Sequence, residues 1–239
     1  MKIEIIKCLR DNYSYLIIDE TSRDACVVDP GESTPIINFI KNKDINLKYI
    51  LNTHHHYDHI GGNLELKKKY QSKIVAFKND KDRIPGIDIL VEDNQIWKAD
   101  NFEAKIYHTP GHTNGHIAFH FFNEKKVFTG DTLFSLGCGR IFEGTFEEMF
   151  NSLGKIKKLP KETEIYCGHE YTLQNLSFCI KHDSENSKLR DKIIKIKEKI
   201  ARGLPTIPTN LGEEIECNIF LKAQNIETFS KLRDLKDNF

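Results

Sequence analysis

Thr53-His54-His55-His56-Tyr57-Asp58-His59 places four imidazoles and one carboxylate in a single short stretch. It comes directly after Leu47-Lys-Tyr-Ile-Leu51, which reads as a strand, and it leads to Gly61-Gly62, where the chain can turn. If the backbone stays extended beyond the strand, His54 and His56 point the same way, because side chains alternate across a strand. Two imidazoles on one side can share a cation. After the turn, Asp58 and His59 can reach a second position nearby. Imidazole with carboxylate is a donor set suited to zinc, iron or manganese.

Three more polar residues stand in equivalent places further along. His112 follows the strand Ala104–Tyr107 through Thr109-Pro110-Gly111, Asp131 follows Lys126–Phe128 through Thr129-Gly130, and His169 follows Glu164–Tyr166 through Cys167-Gly168. Each lies beyond a strand and directly after a glycine, which lets loop backbone bend closely around a site. His54, His56, Asp58, His59, His112, Asp131 and His169 together suit two metal ions with Asp131 bridging them. A lone histidine at a strand end is ordinarily structural or solvent-facing, since histidine is only intermediate in burial. Seven such donors in series are read as a dinuclear site. His55, His108, His116, His120 and His182 are not taken as ligands; His116 and His120 lie on a strand and suit hydrogen bonding or packing. Asp29 either orients the metal loop or serves a turn with Pro30-Gly31.

The rest of the chain fits a mixed α/β domain to about residue 172, followed by a smaller helical region. Tyr13–Ile17 and Ala25–Val28 read as antiparallel strands at a sheet edge, and Lys73–Phe77 and His116–Phe122 as further strands. Thr34-Pro35 opens a helix as N-cap and first turn, Asn63–Tyr70 reads as helix, and Thr145-Phe-Glu-Glu148 is a capping box. Ser187–Ala201 sets Leu189, Ile193, Ile196 and Ile200 at helical spacing with charges on the other face, and a last helix is expected at 226–237.

The chain has 239 residues, 39% of them apolar and 29% charged, with a formal net charge of zero. That length can bury a sizeable core, and the regular supply of Ile, Leu, Val and Phe excludes disorder. The neutral balance disfavours a nucleic-acid binder driven by bulk positive charge. No apolar run exceeds four residues, so no membrane-spanning helix is expected. The N-terminus breaks its apolar residues with Glu4, Lys7, Arg10 and Asp11, unlike a secretory signal. Six unpaired-looking cysteines then read as reduced thiols of a cytoplasmic protein.

With these motifs in place, the sequence resembles the metallo-β-lactamase superfamily and, within it, the glyoxalase II family, the hydroxyacylglutathione hydrolases. The superfamily's ligand motifs match in order at His54–His59, Gly111-His112, Gly130-Asp131-Thr132 and Gly168-His169. The narrower likeness lies in Thr109-Pro-Gly-His-Thr-Asn-Gly-His116, Gly130-Asp-Thr-Leu-Phe134, Gly137-Cys-Gly139, Glu143-Gly-Thr145, Cys167-Gly-His-Glu-Tyr-Thr172 and the ending from Leu232 to Phe239. It spans essentially the whole chain. The resemblance implies an αβ/βα sandwich, residues 1–172, with a small helical C-terminal substrate-binding region, residues 173–239.

By the same resemblance, His54, His56 and His112 hold one metal, Asp58, His59 and His169 the other, and Asp131 is shared. Arg140, Tyr171, Arg233 and Lys236 fall where the family binds glutathione. Arg233 and Lys236 are three apart, hence on one helix face, and can grip a carboxylate-bearing ligand. Some members have Lys and Tyr where this chain has Arg140 and Phe142; the charge is kept, and a hydroxyl is lost.

The implied reaction is hydrolysis of S-(2-hydroxyacyl)glutathione, typically S-lactoylglutathione, to D-lactate and glutathione, as in methylglyoxal detoxification. A hydroxide bridging two divalent ions, zinc first with iron or manganese as alternatives, is the nucleophile, and Asp58 can accept the water's proton. The enzyme is expected to be a monomer with no nucleic-acid or membrane partner. Rival readings are an iron-dependent glutathione persulfide dioxygenase of the same superfamily and a non-catalytic metal-binding protein. A nuclease is disfavoured because no basic stretch suited to phosphates stands out.

Overall fold

The computed structural model describes residues 1–239, which form two compact units. One consists of Met1–His108 with Gly115–Glu124, the other of Thr109–Asn114 with Lys125–Phe239.

The first unit runs β1 (Lys2–Cys8), β2 (Asn12–Ile18), β3 (Asp24–Val28), α1 (Thr34–Ile40), β4 (Asn46–Leu51), α2 (Tyr57–Ile60), α3 (Asn63–Tyr70), β5 (Lys73–Phe77), β6 (Ile89–Val91), β7 (Ile96–Ala99), β8 (Phe102–His108) and β9 (Ile117–Phe121). Strands β1 to β6 lie in chain order in one sheet. β1, β2 and β3 pair antiparallel, as expected for the last two, and β3 to β6 pair parallel. β1 takes the outer edge, a position that the charge-broken N-terminal sequence left unassigned. β7, β8 and β9 form an antiparallel meander.

Leu16, Val27, Leu47, Ile50 and Ile74 meet Ile36 and Ile40 of α1 and Leu66 of α3 in the sheet's core. Burying a side chain of this kind contributes about 1.5–3 kcal/mol. The start of α1 differs from expectation. Ser33, not Thr34, holds the N-cap position, and its hydroxyl bonds Glu65 instead of capping.

The second unit runs β10 (Lys126–Gly130), β11 (Leu133–Phe134), β12 (Gly137–Cys138), α4 (Phe146–Lys157), β13 (Glu164–Cys167), α5 (Thr172–His182), α6 (Ser187–Ala201), β14 (Thr209–Asn210), α7 (Leu211–Cys217), α8 (Ile219–Lys222) and α9 (Ile226–Asp237). β10 pairs parallel with β13, which pairs antiparallel with β14, while β11 and β12 make a small hairpin.

The capping box of α4 is present: Thr145 Oγ1 accepts from Glu148 N, and the Glu148 carboxylate accepts from Thr145 N. On α6 the expected apolar face is altered. Leu189 and Ile196 are buried, but so is Lys192, while Ile200 is exposed. The reason is a partner: the Lys192 ammonium bonds the buried Glu214 carboxylate. No helix is long and apolar enough to cross a membrane.

Candidate metal centre

In the first unit the donors cluster at the exit of β4. The chain leaves Leu51 through Asn52, whose N–H donates to Val75 O, and then enters the single turn α2. One buried carboxylate organises this loop. Asp29, at the end of β3, accepts from Thr53 N at 2.7 Å through Oδ1 and from Thr53 Oγ1 at 2.6 Å through Oδ2. The same Oδ2 lies 3.0 Å from His59 Nδ1, and Thr53 Oγ1 lies 3.0 Å from His54 Nδ1. Asp29 therefore orients the histidine-bearing loop after β4 as well as following β3 at φ +48°.

Asp58 is fixed from another strand. Asn12 Nδ2 donates to its backbone oxygen at 3.1 Å and to its Oδ2 at 2.9 Å. Asp58 Oδ2 lies 3.6 Å from His59 Nε2, and the His54 ring centre lies 4.7 Å from that of His56 and 4.2 Å from that of His59. His116 stacks on His54 at 4.8 Å, a packing role. His55 turns elsewhere, its Nδ1 3.7 Å from Asp80 Oδ2, and Arg83 Nε holds Asp80 Oδ1 at 3.0 Å.

In the second unit the donors come from three separate loops. Asp131 follows Gly130, whose φ of +46° suits glycine in particular. Its Oδ2 lies 3.5 Å from His112 Nε2 and 3.3 Å from His169 Nε2. His112 Nδ1 lies 2.8 Å from the Arg140 carbonyl. The Tyr171 ring stacks on His169 at 4.7 Å, nearly parallel, and Phe134 sets an edge against both.

The donor chemistry fits metal ions. Nδ1 of His54, His59 and His112 faces a hydroxyl, a carboxylate and a carbonyl, respectively, so Nε2 is the atom that each of these rings could offer a metal ion. An outer partner on the far nitrogen is the usual way in which a metal-binding imidazole is fixed in tautomer and orientation. A carboxylate oxygen flanked by two Nε2 atoms, as at Asp131, is the arrangement a bridging ligand needs. Its negative charge complements a cation there.

The four residues expected at glutathione differ in setting. Arg140 is exposed, and its Nε donates to Asp237 Oδ1 at 3.2 Å. Arg233 is only 4% exposed; Nη2 donates to the same Asp237 oxygen at 2.9 Å and Nη1 to the Cys138 carbonyl at 2.8 Å. Lys236 Nζ donates to Gln174 O at 3.3 Å. Burial, then the nearby Arg233 charge, lowers its pKa from the ordinary lysine value. Phe142 is exposed, with its ring 5.2 Å from that of His112. Sequence reasoning missed Asn12 and Asp80, which lie far along the chain from the loop they serve and belong to no motif. It also missed the Arg140 carbonyl, because backbone groups leave no sequence signal.

Comparison with known proteins gives a consistent picture. Residues 9–169 match the family model described as Metallo-beta-lactamase superfamily, and residues 170–239 the one described as Hydroxyacylglutathione hydrolase C-terminus. The chain is 64% identical over 239 residues to the hydroxyacylglutathione hydrolase of Pelagibacter ubique (strain HTCC1062), covering all of both chains. It is 40% identical to that of Rhodopseudomonas palustris (strain BisB5), covering 99% of this chain and 98% of the other. Among solved structures, ETHE1 from Myxococcus xanthus superposes with a TM-score of 0.75 at 24% identity, over 98% of this chain and 90% of that one. This last likeness is one of fold alone.

Proposed function

We infer the reaction from one premise: the chain belongs to the metallo-β-lactamase superfamily and, along its whole length, to the hydroxyacylglutathione hydrolases within it. It hydrolyses S-(2-hydroxyacyl)glutathione thioesters to a 2-hydroxy acid and glutathione. The finer assignments are ours: S-lactoylglutathione as the substrate, D-lactate as the acid, and methylglyoxal detoxification as the setting.

His54, His56 and His112 would hold one divalent ion, Asp58, His59 and His169 the other, with Asp131 shared between them. Zinc is the first choice for such imidazoles and carboxylates, and iron and manganese accept the same donors. The observation that carries this reading is the Asp131 carboxylate flanked by the Nε2 atoms of His112 and His169. Bound there, the ions would supply Lewis acidity and lower the pKa of a water they hold toward neutrality.

This chain's own residues do the rest. Asn12 holds Asp58, the carboxylate we assign to take the proton of the attacking water. Asp29 keeps the His59 ring in place. The departing thiolate needs no strong acid, since a thiol pKa of about 8.5 already makes it a competent leaving group. Arg140, Tyr171, Arg233 and Lys236 are assigned to the glutathione moiety, so residues 1–172 supply the chemistry with two of these contacts, and the helical region 173–239 supplies the other two. We further propose a monomeric cytoplasmic enzyme without nucleic-acid or membrane partners; six buried free cysteines support a reducing compartment.

The test pairs metal analysis with an assay of S-lactoylglutathione hydrolysis on one preparation. Two divalent ions per chain with turnover are expected. Oxygen uptake with glutathione persulfide and no thioester hydrolysis would overturn the reading, as would full turnover after complete metal removal.

A further inference from the structure

Glu214 is a carboxylate with no exposure, remote in sequence from every proposed ligand. Five groups converge on it. Oε2 accepts from Leu136 N at 2.8 Å and from Asn218 Nδ2 at 3.2 Å; Oε1 accepts from Thr209 Oγ1 at 2.6 Å, from Ser135 Oγ at 3.2 Å and from the Lys192 ammonium. Each of the five has a proton to donate to it.

Two of these donors belong to the turn of the β11–β12 hairpin, and other side chains from the helices take the rest of its backbone. Asn218 Nδ2 donates to Phe134 O at 3.3 Å and to Gly137 O at 3.0 Å. Asn175 Nδ2 donates to Ser135 O, Cys179 Sγ to Leu136 O, and Arg233 Nη1 to Cys138 O. Every carbonyl from Phe134 to Cys138 thus ends on a side chain supplied by residues 175–233. The turn needs such support, because Leu136 sits at φ +59°, a region that costs a non-glycine residue roughly 1 kcal/mol or more. There is no slack in the fit. A Cβ on Gly137 would lie 2.3 Å from Asn175 Nδ2, and one on Gly139 would lie 1.9 Å from the Asp131 carbonyl oxygen.

We propose that Glu214 is a positioning residue: with Lys192, Asn175 and Asn218 it shapes the β11–β12 hairpin, and so sets the Phe134 ring against Tyr171 and His169. The helical segment then has a second task besides presenting cations to the substrate. Arg233, whose Nη1 is spent on Cys138 O, belongs to that task as well. A buried ion pair contributes little net stability, and losing one member leaves the other charge uncompensated, so such a pair is better suited to fixing a conformation.

The proposal rests on the thioesterase reading only for its kinetic consequence, so the test has two readouts on the full-length chain. In Glu214→Gln an amide donor must face one of the donors, and amide hydrogen exchange at residues 136–139 is expected to rise at least tenfold while that of α4 stays unchanged. With S-lactoylglutathione, KM is expected to rise about tenfold with kcat and metal content kept. In a Phe134→Ala background the same substitution should change KM by less than twofold, since its effect runs through that ring. Asn175→Ala, which removes the hydrogen bond to Ser135 O and the packing against Gly137 but leaves Glu214 in place, should show the same pattern more weakly and serves if Glu214→Gln does not fold. Unchanged exchange at the hairpin, or an equal KM penalty with and without Phe134, overturns the proposal. Absence of any hydrolysis by the unaltered chain strikes instead at the thioesterase reading and leaves the exchange result standing.

Discussion

In the first unit four candidate ligands fall between His54 and His59, and one carboxylate, Asp29, reaches both Thr53 and His59 to fix the loop. In the second unit His112, Asp131 and His169 stand on three loops, and what holds them is spread over a hairpin, a ring stack and a helical segment. A ligand set written into one loop needs few outside supports. A set gathered from distant loops depends on the whole scaffold that delivers it. Mutation is therefore expected to act differently in the two units.

The largest effect should come from the donor that the second unit centres on. Asp131→Ala is expected to lower kcat/KM by more than the about 10–100-fold typical of losing an outer partner of a ligand, together with bound metal. Near-normal turnover in that variant would erase the comparison. Asp29→Asn tests the first unit's single support. It should cost about 10–100-fold in metal affinity or activity, read by metal titration, because the His59 ring and Thr53 lose their shared acceptor.

A third prediction concerns stability in the first unit. His120 on β9 is buried, and desolvation followed by the Lys105 charge lowers its pKa to about 4. Between that value and the ordinary 6.5 the unfolded chain binds the extra proton, so stability is full above pH 6.5 and falls as the pH drops toward 4. Denaturant melts across that window should show the fall, and His120→Leu should flatten it. The smallest effect belongs to the second unit's α4. Thr145→Ala removes the hydroxyl that accepts from Glu148 N and should cost about 1 kcal/mol, a Tm loss of roughly 2–4 °C. Its turnover should match the unaltered chain; a lowered kcat would show that the support of the second unit reaches α4.

Much of the fold was legible because the elements obey local rules. The capping box at Thr145, the span Ser187–Ala201 and the strands flanking each glycine-led loop arise from propensity, capping and alternation. Helical spacing alone sets Lys192 among the charges opposite the apolar stripe of α6, because it cannot see Glu214, which approaches from another helix. The edge strand β1 and the two-residue strands of the hairpin carried too little pattern to be assigned. Asn12 and Asp80 gave no signal for the same reason: an isolated polar residue acquires a role only from what the fold sets beside it.

Sequence by itself determined the candidate donors, their order and the family, since imidazoles, carboxylates and glycines at strand ends are chemical facts of the chain. Tertiary structure alone decided which nitrogen of His54, His59 and His112 has an outer partner, where Arg233 spends its guanidinium, and why a buried lysine is tolerated on α6. Those outcomes depend on hydrogen-bond geometry and desolvation between residues far apart in the chain, and neither quantity exists until the fold has formed.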